Sequence, residues 1–285
     1  MQTLSFESSD APVSLSLGDA LEDTLEVEAP RPRSGAVLEV AAVTHAGRVR
    51  PRNEDAYVVQ PDLGFCAVAD GLGGRPGGDV ASAMALREAH RFLSDPSLGG
   101  AAVLGLGAPT GLGDLLVAAV RHANSAVHVA SLDDPRLTGM GTTLVGLLVA
   151  GGRAAIVHAG DSRAYRIRGG CAERLTTDHS MRELYLQVYG DRARPEIAER
   201  NACIVTRVVG ARPRLQPDVL TCAVEPGDVF LLCSDGLWGL LSDDEMAFAL
   251  AGAPTLETAL AKLFATAYNR GAHDNVTAVL VRCAG

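Results

Sequence analysis

Acidic dipeptides recur along the whole chain, and three of them stand at the ends of hydrophobic segments. They are Glu54-Asp55, Asp70-Gly71, Asp235-Gly236 and Asp274-Asn275. The last three abut apolar runs at 63–69, 229–234 and 275–281, which are typical of β-strands. A carboxylate at the edge of an apolar strand is costly to desolvate unless a positive charge meets it. Several such carboxylates on separate strands predict one shared site for a hard divalent cation, Mg²⁺ or Mn²⁺.

Charge and hydropathy exclude several classes of protein. The 285 residues are 47% hydrophobic and carry a formal net charge of −9, which argues against non-specific binding to nucleic acid or anionic membranes. We find neither an apolar run long enough to span a bilayer nor a secretory signal, and therefore expect a cytoplasmic protein. The six cysteines lack zinc-like spacing and are expected to be structural thiols.

The chain divides into a tail and one folded domain. Residues 1–36 are acidic and without hydrophobic periodicity, which predicts a disordered tail. Residues 37–285 mix strand and helix patterns, which predicts a single α+β layered domain. Within this domain the charged stretch 177–200 lacks a strand pattern and contains Pro195, which predicts a surface insertion between strands.

Periodicity and capping residues predict the main elements of the domain. Helices are predicted at 79–93, 114–130, 242–250 and 255–268, the third of them with a Ser242–Glu245 capping box. A loop is predicted at 96–113. Strands are predicted, besides the apolar runs above, at 38–43, 142–150, 153–158, 162–167 and 219–224.

Six short motifs follow one another in a characteristic order. They are 47–55 (GRVRPRNED), 69–74 (ADGLGG), 141–143 (GTT), 159–163 (AGDSR), 233–237 (CSDGL) and 274–277 (DNVT). In this order they resemble the motifs of the metal-dependent protein phosphatases of type 2C, in their compact bacterial form. Any one motif is weak evidence, whereas the ordered set over residues 38–281 indicates the family.

The resemblance implies a fold and a biological role. The fold is a central sandwich of two antiparallel β-sheets flanked by pairs of α-helices, with a metal cleft at one end. The insertion at 177–200 falls where family members carry a mobile flap beside the cleft. The implied protein is a monomer that dephosphorylates serine and threonine in phosphoproteins, such as a cognate kinase or its targets.

The resemblance also implies ligands for two Mn²⁺ or Mg²⁺ ions. By position, Asp70 bridges both ions and the Gly71 carbonyl is a further ligand. Glu54 belongs to one ion, and Asp235 and Asp274 belong to the other. Because glycine has no side chain, the backbone at Gly71 can approach a cation closely.

The implied chemistry is hydrolysis of phosphomonoesters by a hydroxide activated between the two metals, without a covalent intermediate. Metal binding can lower the pKa of water from about 15.7 to about 7, which supplies a nucleophile at neutral pH. Arg50 matches the arginine that grips the substrate phosphate, and its fork holds two oxygens in a way that lysine cannot. Asp55 is expected to hold a metal-associated water in place.

The chain departs from the family pattern at a third metal position. Family members often bind a further metal through the aspartate of Gly-Asp-Ser-Arg, which is Asp161 here, and an acid four residues after the Asp-Gly aspartate. That second position is Gly239. A third metal is therefore left open, although Asp243 or Asp244 could substitute.

A second departure concerns the proton donor. Many eukaryotic relatives carry a histidine just after the Asp-Gly pair, proposed to protonate the leaving alcohol, and this chain has Leu72 there. His45 precedes the arginine motif, where an ordinary structural histidine is the simpler interpretation. Water could serve as the acid instead, and the sequence leaves the donor open.

Two rival functions fit the sequence less well than a phosphatase. A catalytically weak phosphoprotein-binding module of the same fold would be expected to lose at least one of Glu54, Asp70, Asp235 and Asp274, and none is lost. A dinucleotide-binding enzyme would need a third glycine in the turn at 71–76, where Pro76 stands, and Asp70 would repel the pyrophosphate.

Overall fold

The structure, a computed structural model, describes residues 37–95 and 111–284. The predicted tail at 1–36 and residues 96–110 of the predicted loop lie outside this range. The strands are β1 Val37–His45, β2 Asp55–Gln60, β3 Phe65–Asp70, β4 Leu144–Ala150, β5 Arg153–Ala159, β6 Arg163–Arg168, β7 Cys171–Arg174, β8 Asp218–Ala223, β9 Val229–Cys233 and β10 Val276–Ala284. The helices are α1 Gly78–Ser94, α2 Leu112–Asp133, α3 Met181–Tyr189, α4 Pro195–Arg200, α5 Asp235–Trp238, α6 Asp243–Ala251 and α7 Leu256–Asn269.

The strands form two five-stranded antiparallel sheets. One has the order β1-β10-β9-β6-β7 and the other the order β2-β3-β4-β5-β8. Helices α1 and α2 pack on the outer face of the second sheet, and α6 and α7 pack on the first sheet. The predicted sandwich with flanking helix pairs is thus confirmed.

Strand β3 shows why the predicted strands are continuously apolar. Cys66 and Val68 face the layer between the sheets, whereas Phe65, Ala67 and Ala69 face the layer under α1 and α2. Side chains alternate between the two faces of a strand, and here both faces are buried. The sheet ends, where polar residues begin, are therefore the places left for a site.

Most element bounds agree with the sequence prediction, and the differences have local causes. Helix α2 begins at Leu112, inside the predicted loop, because its first turn already bonds from the Leu115 N–H to the Gly111 carbonyl. Strand β7 was missed because it is short, half exposed and paired only with β6. The capping box between Ser242 and Glu245 is present.

All six cysteines are free thiols; Cys66, Cys233 and Cys283 are buried, as predicted for structural thiols, whereas Cys171 and Cys203 are exposed. Cys66 and Cys233 are fully enclosed in the core, and burial raises the pKa of Cys66 to about 12. None of the described helices combines the length and the apolar character needed to cross a lipid bilayer.

Candidate metal centre

The antiparallel strands bring the predicted acids to one end of the sandwich. Asp55 begins β2 and lies directly opposite Asp70, the last residue of β3. Asp235 begins α5 immediately after β9, and Asp274 precedes β10, which pairs with β9. Because neighbouring strands run in opposite directions, one strand's end meets the next strand's start at the same sheet edge.

Burial and mutual repulsion make this group of acids unfavourable without a cation. The pKa of Asp70 lies well above its usual range, first because of burial and then because of the charges of Asp55 and Asp235. Burial is also the main cause that raises the pKa of Asp55 to about 7 and that of Asp235 to about 6. Such clustered shifts are typical of functional sites.

Two carboxylate oxygens of the group lack any hydrogen-bond partner. They are the buried Oδ1 atoms of Asp55 and Asp235. An unsatisfied, buried carboxylate oxygen is costly, and oxygen-rich donor sets of this kind suit Mg²⁺ or Mn²⁺. The residues present therefore fit a site for hard divalent cations.

Arg50 is the cation that meets this group in the structure. Its Nη2 donates to Asp274 Oδ2 at 2.7 Å, and the two side chains remain 44% and 37% exposed. The hydrogen bond and charge of Asp274 raise the pKa of Arg50. Arg50 thus stands at the open side of the acids, where an incoming anion would arrive.

Glu54 and Gly71 come together through backbone packing. The Gly71 N–H donates to the Glu54 carbonyl at 3.1 Å. A Cβ at Gly71 would lie 2.3 Å from the Gly78 carbonyl oxygen and 2.7 Å from the Glu54 carbonyl oxygen, so no side chain fits there. Glycine at position 71 is therefore required by this backbone packing, in addition to the close approach of the backbone to a cation that the sequence analysis predicts.

Two threonines fix the position of Asp70. The Thr143 hydroxyl accepts from the Asp70 N–H at 3.0 Å, and the Thr142 hydroxyl donates to the Asp70 carbonyl at 2.8 Å. The Thr143 N–H donates to the same carbonyl at 2.8 Å. The Gly-Thr-Thr motif therefore holds the backbone of Asp70 so that its carboxylate keeps one place.

Ser234 fixes the position of the Asp55 side chain. Its hydroxyl donates to Asp55 Oδ2 at 2.7 Å and accepts from the Thr277 N–H at 3.0 Å. These bonds link Asp55, at the start of β2 in one sheet, to the end of β9 in the other sheet. Asp55 is thereby oriented by protein groups on one oxygen while its other oxygen stays unpaired.

Asn275 is a site residue whose role the sequence did not reveal. Its Oδ1 accepts from the Glu54 N–H at 2.8 Å. Its Nδ2 donates to the carbonyls of Ala46 and Arg52, both at 2.9 Å. One buried amide therefore fastens both ends of the loop 46–54, which carries Arg50 and Glu54.

Replacing Asn275 by Ala is expected to lower the free energy of unfolding by about 3 kcal/mol, because one N–H and two carbonyls lose their partners. Thermal denaturation with Mn²⁺ present should show a Tm lower by roughly 6–12 °C. Asn269→Ala, at the exposed end of α7, is the matched control and should change little. An unchanged Tm for Asn275→Ala would contradict the role assigned to this amide.

Asp161 lies beside the acids but lacks the usual acidic partner. It is 7% exposed, and burial, followed by the charge of Asp235, raises its pKa to about 7. Gly239 offers only backbone, and its N–H donates to the Asp235 carbonyl at 2.8 Å. Asp243 and Asp244 are exposed in the first turn of α6.

His45 is a packing residue in this structure. Its ring lies edge-on against Phe264 and Tyr268, with centroids 5.4 and 5.7 Å away. Its Nδ1 accepts from the Gly47 N–H at 2.9 Å. The simpler interpretation of His45, as a structural histidine, agrees with these contacts.

The insertion at 177–200 is anchored to the sandwich at its first residues. Asp178 accepts from Arg163 at 3.0 and 2.8 Å and from Arg174 at 2.6 Å. His179 follows and stacks on His158 with ring centroids 4.4 Å apart. These contacts tie the base of the insertion to the strands that flank Asp161.

His158, His179 and Asp218 also bring three ligand-type atoms within 4.8 Å of one another. The Gly160 N–H donates to His179 Nδ1 at 3.2 Å, so the proton of the neutral ring sits on Nε2. That Nε2 lies 3.2 Å from Asp218 Oδ2, and Asp218 is also paired with Arg207. The nitrogen near the carboxylate therefore carries a proton and has no free lone pair for a metal, which favours a structural contact over a metal site.

A family model for protein phosphatase 2C matches residues 44–281 of the chain. The serine/threonine protein phosphatase PstP of Mycobacterium tuberculosis is 36% identical over 252 residues, which make up 86% of this chain and 45% of that protein. The serine/threonine phosphatase stp of Listeria monocytogenes is 31% identical over 247 residues, 84% of this chain and 93% of that protein. The chain thus spans less than half the length of PstP and nearly all of stp.

Solved structures agree with this family. A crystal structure of the PstP catalytic domain in complex with two manganese ions matches with a TM-score of 0.74 and 32% identity, covering 88% of this chain and all of that chain. The serine/threonine phosphatase Stp1 of Staphylococcus aureus matches with a TM-score of 0.78 and 28% identity, covering 92% of this chain and 100% of that chain.

Proposed function

Because this chain belongs to the protein phosphatase 2C family, we propose that it hydrolyses phosphoserine and phosphothreonine in proteins with two Mn²⁺ or Mg²⁺ ions. The observation that carries the proposal is the convergence of Asp55, Asp70, Asp235 and Asp274, with two unpaired carboxylate oxygens, beside Arg50. Relatives named as serine/threonine phosphatases, and the manganese-bound PstP domain, support it.

We assign the metal ligands to the residues that the motifs name. Asp70 would serve both ions and the Gly71 carbonyl would assist. Glu54 would hold one ion, and Asp235 and Asp274 the other. When bound, the two cations supply Lewis acidity to the phosphoryl group and lower the pKa of water to about 7.

The protein's own residues then orient the reaction. Thr142 and Thr143 fix Asp70, Ser234 orients Asp55, and Asn275 fastens the loop of Arg50 and Glu54. With Asp274 engaged as a metal ligand, the guanidinium of Arg50 would be free to hold two phosphate oxygens. Water attacks phosphorus, the bond to the serine or threonine oxygen breaks, and the alcohol leaves with a proton.

We propose that water delivers this proton. The Leu72 side chain has no acidic proton. His45 accepts a hydrogen bond from the Gly47 N–H and packs against two aromatic rings. Burial lowers the pKa of His45, so its ring is mainly neutral at pH 7. A protein acid at this position is therefore not needed for the proposed mechanism.

The proposal is tested by Mn²⁺-dependent turnover of p-nitrophenyl phosphate and of a phosphothreonine peptide by the full chain. Hydrolysis that appears with millimolar Mn²⁺ and disappears with a chelator is expected. No turnover at millimolar metal would favour the alternative, a phosphoprotein-binding module of the same fold with little activity.

Replacing Arg50 by Ala is expected to raise KM for a phosphopeptide about 10–100-fold and to change kcat less, because a charge-assisted bidentate contact contributes about 1.5–3 kcal/mol. Steady-state kinetics of Arg50→Ala, Arg50→Lys and the remote control Arg153→Ala measure this. Lysine should rescue only in part. A variant with normal KM and reduced kcat would contradict phosphate binding by Arg50.

Further proposals concern the organisation of the protein. Residues 37–285 would form the catalytic domain, and 177–200, which holds α3 and α4 between β7 and β8, would be a flap beside the cleft. A third metal at Asp161 would be weak or absent because Gly239 offers no carboxylate. We also propose a cytoplasmic monomer that acts on a cognate kinase or its targets.

A further inference from the structure

Three exposed arginines near Arg50 lack an acidic partner. Arg48 and Arg52 each stand two residues from Arg50 in the loop 46–54, and Arg75 lies in the glycine-rich loop that follows Asp70. Among the described residues, no acidic side chain forms an ion pair with any of the three, although most other arginines of the domain are paired.

The two loops that carry these arginines meet at Arg50. A Cβ at Gly73 would lie 3.3 Å from Arg50 Nη1, so the glycine-rich loop runs directly beside this guanidinium. Farther along the same loop, Arg75 Nη1 comes so close to Gly139 that a Cβ there would lie 3.1 Å away. The Arg75 guanidinium thus lies beside Gly139, two residues before the Gly-Thr-Thr motif whose threonines hold Asp70.

The loop 46–54 is fastened by contacts that leave Arg48 and Arg52 without an ion-pair partner among the described residues, whereas Arg50 is paired with Asp274. The Arg48 N–H donates to the Ala272 carbonyl at 2.9 Å, and its guanidinium lies 5.4 Å from the Tyr268 ring centroid. The Arg52 carbonyl accepts from Asn275 at 2.9 Å. Backbone contacts therefore hold the loop, the Tyr268 ring positions the Arg48 side chain, and none of these contacts is an ion pair.

The loop 46–54 is basic, in contrast to the chain as a whole. The chain carries a formal net charge of −9, whereas Arg48, Arg50 and Arg52 lie together with Glu54 as the only acid of their loop. Clustered charge of one sign beside a cleft raises the local concentration of ligands of the opposite sign. The ligand that enters this cleft under the proposed function is a phosphorylated segment of a protein.

We propose that Arg48, Arg52 and Arg75 form a basic rim that selects phosphoproteins with acidic residues, Asp, Glu or a second phosphate, close to the phosphorylated serine or threonine. The proposal rests on the proposed function for its substrate. An extended segment advances about 3.3 Å per residue, so positions within a few residues of the phosphate pass over the two loops. Arg50 binds the reacting phosphate itself and is not part of the rim.

The test uses three phosphothreonine peptides that differ only in four flanking residues, which are all Glu, all Gln or all Lys. The full chain should show kcat/KM in the order Glu, Gln, Lys at low salt. In the triple variant Arg48→Gln, Arg52→Gln, Arg75→Gln, the ratio of kcat/KM for the Glu peptide to that for the Lys peptide should fall about 2–5-fold for each arginine replaced, as expected for exposed ion pairs. Raising the ionic strength to about 0.5 M should weaken the preference of the unmodified chain.

Two controls separate the rim from the catalytic site. Arg153→Gln, an exposed arginine at the opposite end of β5 from Asp161, should keep the full preference. p-Nitrophenyl phosphate has no flanking residues, so the triple variant should hydrolyse it at the rate of the unmodified chain within about twofold. Equal kcat/KM for the three peptides, or a preference that survives in the triple variant, would overturn the rim.

Failure of the proposed function gives a different result. The unmodified chain would then not hydrolyse p-nitrophenyl phosphate with Mn²⁺ at all. Affinities of the same three peptides, measured by fluorescence anisotropy with the full chain and Mn²⁺, would decide on the rim alone. If the unmodified chain binds the Glu peptide more tightly than the other two and the triple variant does not, the basic rim is supported. Equal binding of the three peptides by the unmodified chain overturns the basic rim.

Discussion

Asn in place of Asp70 is expected to lower kcat by about 10³-fold or more while the fold stays intact. Asp70 is the one carboxylate that lies opposite Asp55 and also feels the charges of Asp235, Asp161 and Asp274. A ligand in this central position contributes to both proposed cations, and metal-ion stabilisation of a transition state is worth several kcal/mol. The amide keeps the shape of the carboxylate but removes its charge.

Steady-state kinetics with p-nitrophenyl phosphate at saturating Mn²⁺, together with calorimetric titration of Mn²⁺, measure this effect. Asp133→Asn at the exposed C-terminal end of α2 is the matched control and should behave as the unmodified chain. Circular dichroism establishes that both variants fold. Full activity in folded Asp70→Asn would refute the assigned role of this residue and with it the proposed two-metal mechanism.

The sandwich could be predicted largely because its strands are apolar on both faces. In a soluble domain, a short and continuously apolar run such as 63–69 indicates a strand that is buried on both faces. The turn residues between such runs indicate where the strands end. Strand β7, with exposed alternate residues and a single neighbour, carries no such signal. The helices α3 and α4 were missed as elements because charge dominates the stretch 177–200.

The acids of the site could be predicted from the motifs, but the groups that hold them could not. The hydrogen bond between Asn275 and Glu54 joins residues 221 positions apart, and that between Ser234 and Asp55 joins residues 179 apart. Nothing local in the sequence distinguishes an asparagine that fastens a distant loop from one that caps a turn. Such contacts follow only from the way the strands are ordered in the sheets.

The ion pair between Arg50 and Asp274 is another long-range contact that the sequence motifs do not reveal. The sequence indicates a phosphate-binding arginine and a metal-binding aspartate as separate features. The structure joins them by a 2.7 Å hydrogen bond across the mouth of the site. Under the proposed roles of Arg50 and Asp274, substrate binding and metal binding would be coupled through one carboxylate, which neither motif alone would suggest.

The metal-free protein is expected to gain progressively more stability from Mn²⁺ as pH rises from about 5 to about 8. Burial raises the pKa of Asp55 to about 7 and that of Asp235 to about 6, above their values in the unfolded chain. A raised folded-state pKa gives stability that is complete below the unfolded pKa, about 4, and is lost as pH rises through the folded pKa. Cation binding needs the ionised carboxylates, so it grows over the same range.

Two histidines titrate in the opposite sense and must be separated from this effect. Burial lowers the pKa of His158 to about 4 and also lowers that of His179, so their stabilising contribution is present above pH 6.5 and is lost as pH falls. Both lie outside the proposed ligand set, and their contribution is the same with and without Mn²⁺. The difference in Tm between Mn²⁺ and chelator at each pH therefore isolates the acids.

Thermal denaturation at pH 5 and pH 8, each with Mn²⁺ and with chelator, measures this difference. Two ions at about 100 times their Kd would add about 5 kcal/mol, which corresponds to roughly 10–20 °C at pH 8 and much less at pH 5. Asp70→Asn should raise the Tm of the chelated protein at pH 8, because it removes one buried charge, and should reduce the gain from Mn²⁺. An equal gain at both pH values would show that the buried acids are not held together by a cation. A chelated Asp70→Asn no more stable than the chelated unmodified chain at pH 8 would show that the buried charge of Asp70 does not destabilise the cation-free protein.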